Sequence, residues 1–409
     1  MTMMRKTILP LILILCMVSG TFAFAESDYK KTDSAVINTD ILASDISTTV
    51  SNYYYSKDIS GTFNEDPSFT TDIASYLANK VETQQHVTDL YDTNKENYDI
   101  DVTLINHTID ANSNIASFEF QVLTTFNYIG CDFDTTVSEV VEVKFDLTTN
   151  KIIDLYTPMD YYDEFVRSEE NSISKSSNGG KETNPEFDLT PSVIEKQEQL
   201  NQNINSRYNA IASEEIANAS IITTRASSLN NTAIVNWARS NYNKNQPSPG
   251  KSSVPYFDFS EMSGAYDCTN FVSHAVLAGG AKINDTGGSG ISSTGWYYRN
   301  INNRSSSWSG VDQFYNYMIT NTKANTAYGT TYAYSHNGGM WNLGSVMQFD
   351  SDGKNGFNHS TIITKRTSSD GRYYAYVTGR TGDNNYNNNK SADEMSPVYK
   401  PRVINVYNR

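Results

Sequence analysis

The spacing of apolar residues changes from a helical period to a period of two within residues 71–147, and this change limits the fold class most. In residues 71–92 the apolar side chains recur on one helix face. After that, apolar and polar residues alternate in three runs, at 100–104, 118–122 and 141–147. A helix followed by a half-buried antiparallel sheet predicts an α+β unit over about residues 40–165.

The N-terminus has the three parts of an export signal. A basic pair at positions 5 and 6 precedes the apolar run Ile8–Val18, and Ala23-Phe24-Ala25 provides a cleavage site. The apolar run is shorter than the roughly 20 residues that a membrane-spanning helix needs. We therefore expect a signal peptide of residues 1–25 and a secreted, extracellular or cell-wall-associated protein with no membrane span after cleavage. An uncleaved anchor is the alternative.

Composition and charge indicate a folded chain with two unlike halves. Of the 409 residues, 38% are apolar and only 19% are charged, which is too apolar for a disordered protein. Residues 26–230 contain 13 basic and 35 acidic residues, whereas residues 231–409 contain 16 basic and 11 acidic residues. The mildly basic half could lie near an anionic polymer, or its charge could reflect chance surface composition. We expect no nucleic-acid partner.

The sequence predicts two folded domains joined by a linker. Residues 167–190 are rich in Ser, Asn, Gly and Glu, and a spacer helix is predicted to begin after Thr190 with Pro191 at its first position. The predicted division is a signal peptide (1–25), an N-terminal α+β domain (26–165), a linker with the spacer helix (166–230) and a C-terminal domain (231–409).

The segment Ala265–Gly280 predicts a helix whose first residue is a cysteine. Asp267 suits the N-cap, Cys268 follows it, and Gly279-Gly280 ends the apolar-faced helix. The positive end of a helix favours a thiolate, and the free N–H groups of the first turn can bind an oxyanion. Cys268 is therefore a candidate nucleophile, and a buried free cysteine of the core is the alternative.

A nucleophilic cysteine needs a base, and the sequence has five histidines. His86 and His107 are isolated, and His274 points to a different face of the Cys268 helix. His336 lies in a loop, whereas His359 opens a β-branched run that predicts a strand. A helix-borne Cys followed by a strand-borne His matches the papain-like arrangement.

Six blocks resemble a known family in order and spacing. They are DCTNFVSHAVLAGG, GWYYRN, SSSWSGVDQFYNYM, GSVMQFD, HSTIIT and YVTGRTGD. They are similar to the putative amidase domain of exported Gram-positive proteins, which is related to NlpC-like and CHAP-type cell-wall hydrolases of papain-like fold. The resemblance covers about residues 231–395. It implies Cys268 as nucleophile and His359 as general base, with the aromatic blocks around Trp296 and Trp308 shaping the core.

The sequence departs from the family pattern at the residue that would orient the imidazole. Arg380 stands there, and a guanidinium cannot accept an N–H hydrogen bond. The candidates for a supporting or orienting role are Thr378, Asp383, Asp267 directly before Cys268, Arg380 itself in a supporting role, or a backbone carbonyl. The chain also has Ser345 where the family usually has Asp, and His274 where it usually has Gln.

We therefore expect an α+β protein with a C-terminal papain-like cysteine hydrolase domain and an N-terminal helix-plus-antiparallel-sheet domain of cystatin/NTF2-like shape. The expected function is a secreted cysteine-dependent amidase or peptidase that hydrolyses amide bonds in a cell-wall peptide or protein. No metal or organic cofactor is implied, and Asp350–Asn355 is interpreted as a polar turn. The alternative is a catalytically degenerate cell-surface binding or interaction protein on the same fold.

Overall fold

The computed structural model describes nine stretches of the chain: 38–63, 66–110, 112–167, 186–213, 227–262, 265–337, 340–350, 356–369 and 371–409. The predicted signal peptide, residues 168–185 and 214–226 of the predicted linker, and residues 351–355 of the predicted polar turn lie outside the described residues. The described residues from position 43 onward belong to one compact unit. The predicted domain boundaries stay predictions.

The described helices agree with the apolar periodicity of the sequence. They are α1 (Thr39–Tyr55), α2 (Thr71–Tyr91), α3 (Tyr161–Val166), α4 (Pro191–Ser213), α5 (Asn231–Asn241), α6 (Cys268–Ala278), α7 (Ser306–Ser309), α8 (Val311–Thr320) and α9 (Ala392–Met395). A π-helical turn (Ser56–Ser60) follows α1, and a 3-10 turn (Phe259–Glu261) precedes α6. The spacer helix begins at Pro191 as predicted, and the Thr190 hydroxyl accepts a hydrogen bond from the Val193 N–H at 3.3 Å.

The strands form one large antiparallel sheet and one small sheet. They are β1 (Lys95–Asp110), β2 (Ile115–Tyr128), β3 (Asp134–Asp146), β4 (Lys151–Tyr156), β5 (Ser227–Ser228), β6 (Ile291–Ser292), β7 (Tyr298–Asn300), β8 (Asn303–Ser305), β9 (Ala327–Ala333), β10 (Val346–Phe349), β11 (His359–Ser369), β12 (Arg372–Gly382), β13 (Asn385–Ser391) and β14 (Arg402–Asn408). The large sheet has the order β1-β2-β3-β13-β12-β11-β10-β14-β5, with β4 on β3 and β9 on β14. The predicted α+β class is confirmed.

The N-terminal helix and sheet form as the periodicity predicts. Every second residue of β2 is buried, including Phe118 and Phe120. The apolar face of α2 is also buried, and Ile73 and Leu77 belong to it. These two apolar faces are the ones that the sequence predicts to lie inward.

The N-terminal sheet continues directly into the C-terminal strands. The backbone of β3 pairs with β13, and Asn387 lies opposite Val137. Beside this junction the Tyr128 hydroxyl donates to a Glu394 carboxylate oxygen at 2.7 Å, and the other oxygen lies 3.1 Å from the Lys95 ammonium group. Because all three side chains are buried, they hold the two parts of the sheet together with few competing water contacts.

The C-terminal strands present two different faces. Val346 and Ile362 belong to a buried apolar cluster with the α6 residues Phe271 and Val272. Their strand neighbours Met347 and Ile363 belong to a second cluster on the opposite face. This alternation decides which side of β10, β11 and β12 each polar side chain reaches.

Replacement of the junction carboxylate should destabilise the fold. Glu394→Ala leaves the buried Lys95 ammonium and the Tyr128 hydroxyl without their main acceptor, so we expect a loss of about 3 kcal/mol in the free energy of unfolding. Urea unfolding measures it. The control is Asp285→Ala, which breaks the exposed Arg299–Asp285 pair and should change stability far less. Equal losses would contradict the junction's role.

Candidate active site

Cys268 is the first residue of α6, as the sequence predicts. Its side chain is buried and forms no disulfide, and Cys131 is free as well. The helix ends at Ala278, followed by Gly279 as its C-cap. The nucleophile candidate therefore lies at the N-terminal end of a helix that packs against β11 and β12.

The Cys268 thiol lies beside the start of β11. Its sulfur is 3.8 Å from the Thr269 hydroxyl oxygen, and the backbone N–H of Ser360 donates to it. The Ser360 hydroxyl lies 3.1 Å from the Thr269 hydroxyl and accepts from the Gln348 amide at 3.0 Å. The side chain of Ser360 is thus directed to the α6 side of the sheet.

Burial raises the pKa of the Cys268 thiol, although the Ser360 and Thr269 donors partly offset it. The prediction of a lowered thiol pKa is therefore wrong for the structure at rest. A position at a helix start favours the thiolate only where the sulfur keeps some contact with water or with a cation. Here the loss of hydration has the larger effect, and the thiol stays protonated at neutral pH.

His359 is the first residue of β11 and lies opposite Phe349 in the pairing with β10. Its Nε2 atom faces Gly379, where an added Cβ would lie 3.6 Å from the nitrogen. Its Nδ1 atom is buried without a hydrogen-bond partner among the described residues. Burial, with a smaller effect from Lys390, lowers the pKa of His359 to about 4. The ring is therefore a neutral base at physiological pH.

The Cys268 thiol and the His359 imidazole are both close to the start of β11 but do not contact each other. The Cys268 sulfur accepts a hydrogen bond from the backbone N–H of Ser360, the residue that follows His359. In the part of the chain that the structure describes, no hydrogen bond joins them. His359 lies opposite Phe349 in the strand pairing, and Phe349 belongs to the apolar cluster on the face away from α6. The imidazole and the thiol therefore lie on opposite sides of the sheet, and proton transfer between them requires the ring to move to the α6 side.

Arg380 attaches the start of α6 to β12. The guanidinium is completely buried and forms ion pairs with Asp258, with Asp267 at 3.2 Å and with Asp383 at 2.7 Å. It also donates to the Lys244 carbonyl. Asp267 further donates its backbone N–H to the Thr381 carbonyl at 3.0 Å. The residue directly before Cys268 is thus held by both the backbone and the side chains of β12.

Asp267 does not act as the side-chain cap that the sequence predicts. It occupies the N-cap position, but its carboxylate makes no capping hydrogen bond and accepts instead from Tyr256, the Phe259 N–H and the Asn270 amide. Burial and the nearby Asp258 carboxylate raise the pKa of Asp267 to about 7. Loss of hydration is the larger cause, and the Asp258 carboxylate adds to it because the single Arg380 cation is shared among three anions.

Thr378 contacts other side chains. Its hydroxyl lies 2.7 Å from the Thr364 hydroxyl and donates to the Asn388 amide oxygen at 2.9 Å. No hydrogen bond connects Thr378, Arg380 or Asp383 with His359 among the described residues. Their proposed orienting role stays a prediction.

The other histidines have partners of their own. His274 accepts from the Gly250 N–H at 3.1 Å, and burial among aromatic rings lowers its pKa to about 3. His336 lies 3.1 Å from Asp393, and His86 lies 2.9 Å from Asn205. His107 stacks on a phenylalanine ring of β2. These environments indicate structural roles.

A small polar pocket with a volume of about 90 Å³ opens on the His359 side of the sheet. Both the N-terminal sheet and the C-terminal strands line it. Its lining includes Lys57, Glu139, His359, Asn385, Asn387 and Lys390. The Glu139 carboxylate lies 3.3 Å from the Lys57 ammonium and 3.7 Å from the Lys390 ammonium, so it forms an ion pair with each of these two cations. Sequence reasoning missed this pocket because its walls meet only through the β3–β13 pairing.

Neither a cluster of metal ligands nor a membrane-spanning helix is found in the described residues. They contain no group of three or more His, Cys, Asp or Glu side chains placed to hold a metal ion. Every described helix is too short or too polar to span a bilayer.

Comparison with known proteins gives one match. Residues 228–403 match the family model described as "Putative amidase domain", which supports the family expected from residues 231–395. The match suggests an amidase-like hydrolase. No curated protein and no solved structure matches the chain.

The depressed pKa of His274 should appear in the pH dependence of stability. The unfolded chain protonates this ring near pH 6.5, whereas the folded chain resists protonation down to about pH 3. The unfolded state then binds one more proton, so the free energy of unfolding falls as pH is lowered from about 6.5.

We therefore expect the wild-type stability to fall by about 1.4 kcal/mol per pH unit more steeply than that of His274→Gln between pH 6 and pH 4. Urea unfolding at several pH values measures both slopes. The comparison cancels the contributions of His359 and Asp267, which the two proteins share. Parallel curves would contradict a neutral, buried His274.

Proposed function

We propose that the protein is a cysteine-dependent amidohydrolase that cleaves amide bonds of a cell-wall peptide or protein, with Cys268 as nucleophile and His359 as general base. The observation that carries the proposal is the position of the thiol at a helix start, against the backbone of the strand that begins with His359. The match of residues 228–403 to an amidase family gives independent support.

The resting state of the two groups favours a general-base route. Burial keeps the thiol protonated and the imidazole neutral, so a preformed thiolate–imidazolium pair is not the starting point. In the tautomer with the proton on Nε2, the Nδ1 atom of His359 has a lone pair that can accept a proton, and no described residue bonds to this atom. Transfer of the thiol proton would therefore accompany the attack on the substrate.

The proposed reaction balances without a cofactor. The Cys268 sulfur attacks the carbonyl carbon as its proton moves to His359, and N–H groups of the first turn of α6 stabilise the resulting oxyanion. The imidazolium then protonates the leaving amine, and the C–N bond breaks to give a thioester. Water, deprotonated by His359, hydrolyses the thioester and restores the thiol.

The finer fold assignments belong to this proposal. We propose a papain-like fold for residues 231–409 and a cystatin/NTF2-like shape for the N-terminal helix and sheet. We also propose that the N-terminal domain positions the catalytic domain or binds a partner, since its sheet pairs directly with the C-terminal strands.

Loss of the nucleophile should abolish amide hydrolysis. We expect Cys268→Ala and His359→Gln to lower kcat/KM by about 10³-fold or more, while Cys131→Ser, the matched cysteine control, keeps the activity. The measurement is release of new amino groups from purified peptidoglycan and from casein, which also separates an amidase from a protease. Equal release by Cys268→Ala and wild type would contradict the catalytic role.

A catalytically inactive binding protein on the same fold is the second candidate. The observation that favours it is the lack of a hydrogen bond between the Cys268 thiol and the His359 ring among the described residues. For such a protein, the wild type and the Cys268→Ala variant would bind cell-wall material equally well, and neither would release amine.

Export through the predicted signal peptide is also a proposal, based on residues 1–25 of the sequence. Expression in a Gram-positive host should yield protein in the medium or on the cell wall whose first residue is Glu26. N-terminal sequencing provides the check. Protein that stays in the cell with an intact leader would contradict export.

A further inference from the structure

The polar pocket on the His359 side of the sheet lies away from the thiol, on the face opposite α6. Its volume of about 90 Å³ corresponds to roughly six to nine water-sized groups. Strands from both parts of the sheet and the turn after α1 line it, so the β3–β13 pairing determines its shape. A pocket of this size fits a small polar molecule rather than a peptide chain.

A β-bulge in β13 directs two polar side chains towards this pocket. Lys390 lies opposite Val377 in the pairing of β13 with β12. Asn387, three residues before Lys390, lies opposite Gly379, which is only two residues after Val377. Cross-strand partners share a face, and Val377 belongs to the apolar cluster on the face away from α6. The bulge therefore brings Lys390 and Asn387 to the pocket side, and bulges are frequent next to functional sites.

Two of the lining side chains lack hydrogen-bond partners. Asn387 is only 8% exposed, and its amide oxygen is buried with no partner among the described residues. His359 is 5% exposed, and its Nδ1 atom has no partner in the same part of the chain. Buried polar groups normally have partners. A ligand that donates hydrogen bonds would supply them, because an amide oxygen and one nitrogen of a neutral imidazole are acceptors.

Lys390 has the weakest ion pairing of the lysines in the described lining. Its ammonium lies 3.7 Å from the Glu139 carboxylate, beyond hydrogen-bond distance, and its side chain is 24% exposed. Lys57 and Lys95 are nearly buried and lie 3.3 Å and 3.1 Å from their carboxylate partners. Lys390 is therefore the cation that can donate to a ligand carboxylate.

The charges of the described lining balance one another. Three lysines form ion pairs with three carboxylates: Lys57, Lys95, Lys390, Asp58, Glu139 and Glu394. Asp160 also lines the pocket, but it pairs with the Lys80 ammonium at 3.0 Å. A ligand with a net charge would leave that charge without a counterion in a largely buried site, which is costly. A molecule that carries one cationic and one anionic group avoids this cost.

We propose that this pocket binds a small α-amino acid in its zwitterionic form. The ammonium group of the ligand donates to the Asn387 amide oxygen and to the His359 imidazole, and its carboxylate pairs with the Lys390 ammonium. This ligand explains why an acceptor without a donor and a weakly paired cation lie on the same face of one bulged strand. The volume of the pocket limits the ligand to amino acids with small side chains, such as glycine or alanine.

The contact with His359 links this site to amide hydrolysis. An amino acid that binds the ring holds it on the pocket side, whereas proton transfer with Cys268 requires the ring on the α6 side. The amino acid should therefore inhibit hydrolysis, because a ligand favours the conformation that it binds. This inhibition rests on the proposed function, but the binding itself does not.

Calorimetric titration of the purified protein with alanine tests the inference. We expect saturable binding at one site. Propionate and ethylamine each lack one of the two charged groups of alanine, so both should bind about 10-fold more weakly or not at all. Cys268→Ala should bind alanine as the wild type does, because the thiol lies on the other side of the sheet.

Two pocket variants remove one contact each. Lys390→Met keeps the aliphatic chain without the charge, and Asn387→Leu keeps the volume without the acceptor. Each should weaken alanine binding by about 10-fold or more. Lys144→Met is the matched control, since it removes an exposed lysine of the same sheet that pairs with Asp154 outside the pocket. Thermal unfolding confirms that each variant is folded.

The inference is overturned if alanine does not bind, if propionate or ethylamine binds as tightly as alanine, or if either folded pocket variant keeps the wild-type affinity. Loss of binding in Cys268→Ala would also overturn it, because the amino acid would then occupy the α6 side.

Hydrolysis assays separate this site from the proposed function. If alanine binds as expected but the wild type hydrolyses no amide, the pocket is supported and the proposed function fails. If the wild type is active, saturating alanine should lower its kcat/KM, and Lys390→Met should need about 10-fold more alanine for the same effect. An active enzyme that saturating alanine does not inhibit would rule out the contact with His359.

Discussion

The buried guanidinium of Arg380 is the interaction on which the arrangement around Cys268 depends. A buried cation costs several kcal/mol unless anions and hydrogen-bond acceptors surround it. Three carboxylates and the Lys244 carbonyl meet that need, and one of the carboxylates belongs to Asp267, directly before Cys268. The same ion pairs that make burial of Arg380 tolerable therefore determine where α6 begins relative to β12.

The second constraint is the lack of water around the reactive groups. The thiol of Cys268 and the ring of His359 are both buried, and burial disfavours the charged form of each group. Both are neutral at rest, so charge would arise only during the reaction. In such a site, fixed N–H groups at the start of α6 stabilise developing negative charge better than they would in water. The orientation of the imidazole then matters more than its resting charge.

Local patterns predicted the local structure well. The helical period gave α2, the alternating period gave β1–β3, and the cap and glycine signals located both ends of α6. The start of β11 at His359 followed from its β-branched run. These features depend on neighbours in sequence, which is why one sequence was sufficient to predict them.

Features that depend on distant parts of the chain could not be predicted in this way. The pairing of β3 with β13 joins segments about 250 residues apart, and no local signal specifies it. From the sequence, Arg380 indicated only that the residue expected to orient the imidazole was missing. Its structural role could not be predicted, because the three carboxylates that pair with it come from separate loops. The raised pKa of Cys268 likewise results from burial, which the helix position alone did not reveal.

The most direct test of the account is a crystal structure of the protein with a peptide aldehyde, which forms a hemithioacetal with a nucleophilic cysteine. We expect the aldehyde carbon bonded to the Cys268 sulfur, its oxygen within about 3 Å of a first-turn N–H of α6, and the Nδ1 atom of His359 in hydrogen-bond contact with the adduct. An unmodified Cys268, or an adduct in which the His359 ring stays on the pocket side of the sheet, opposite α6, would contradict the account.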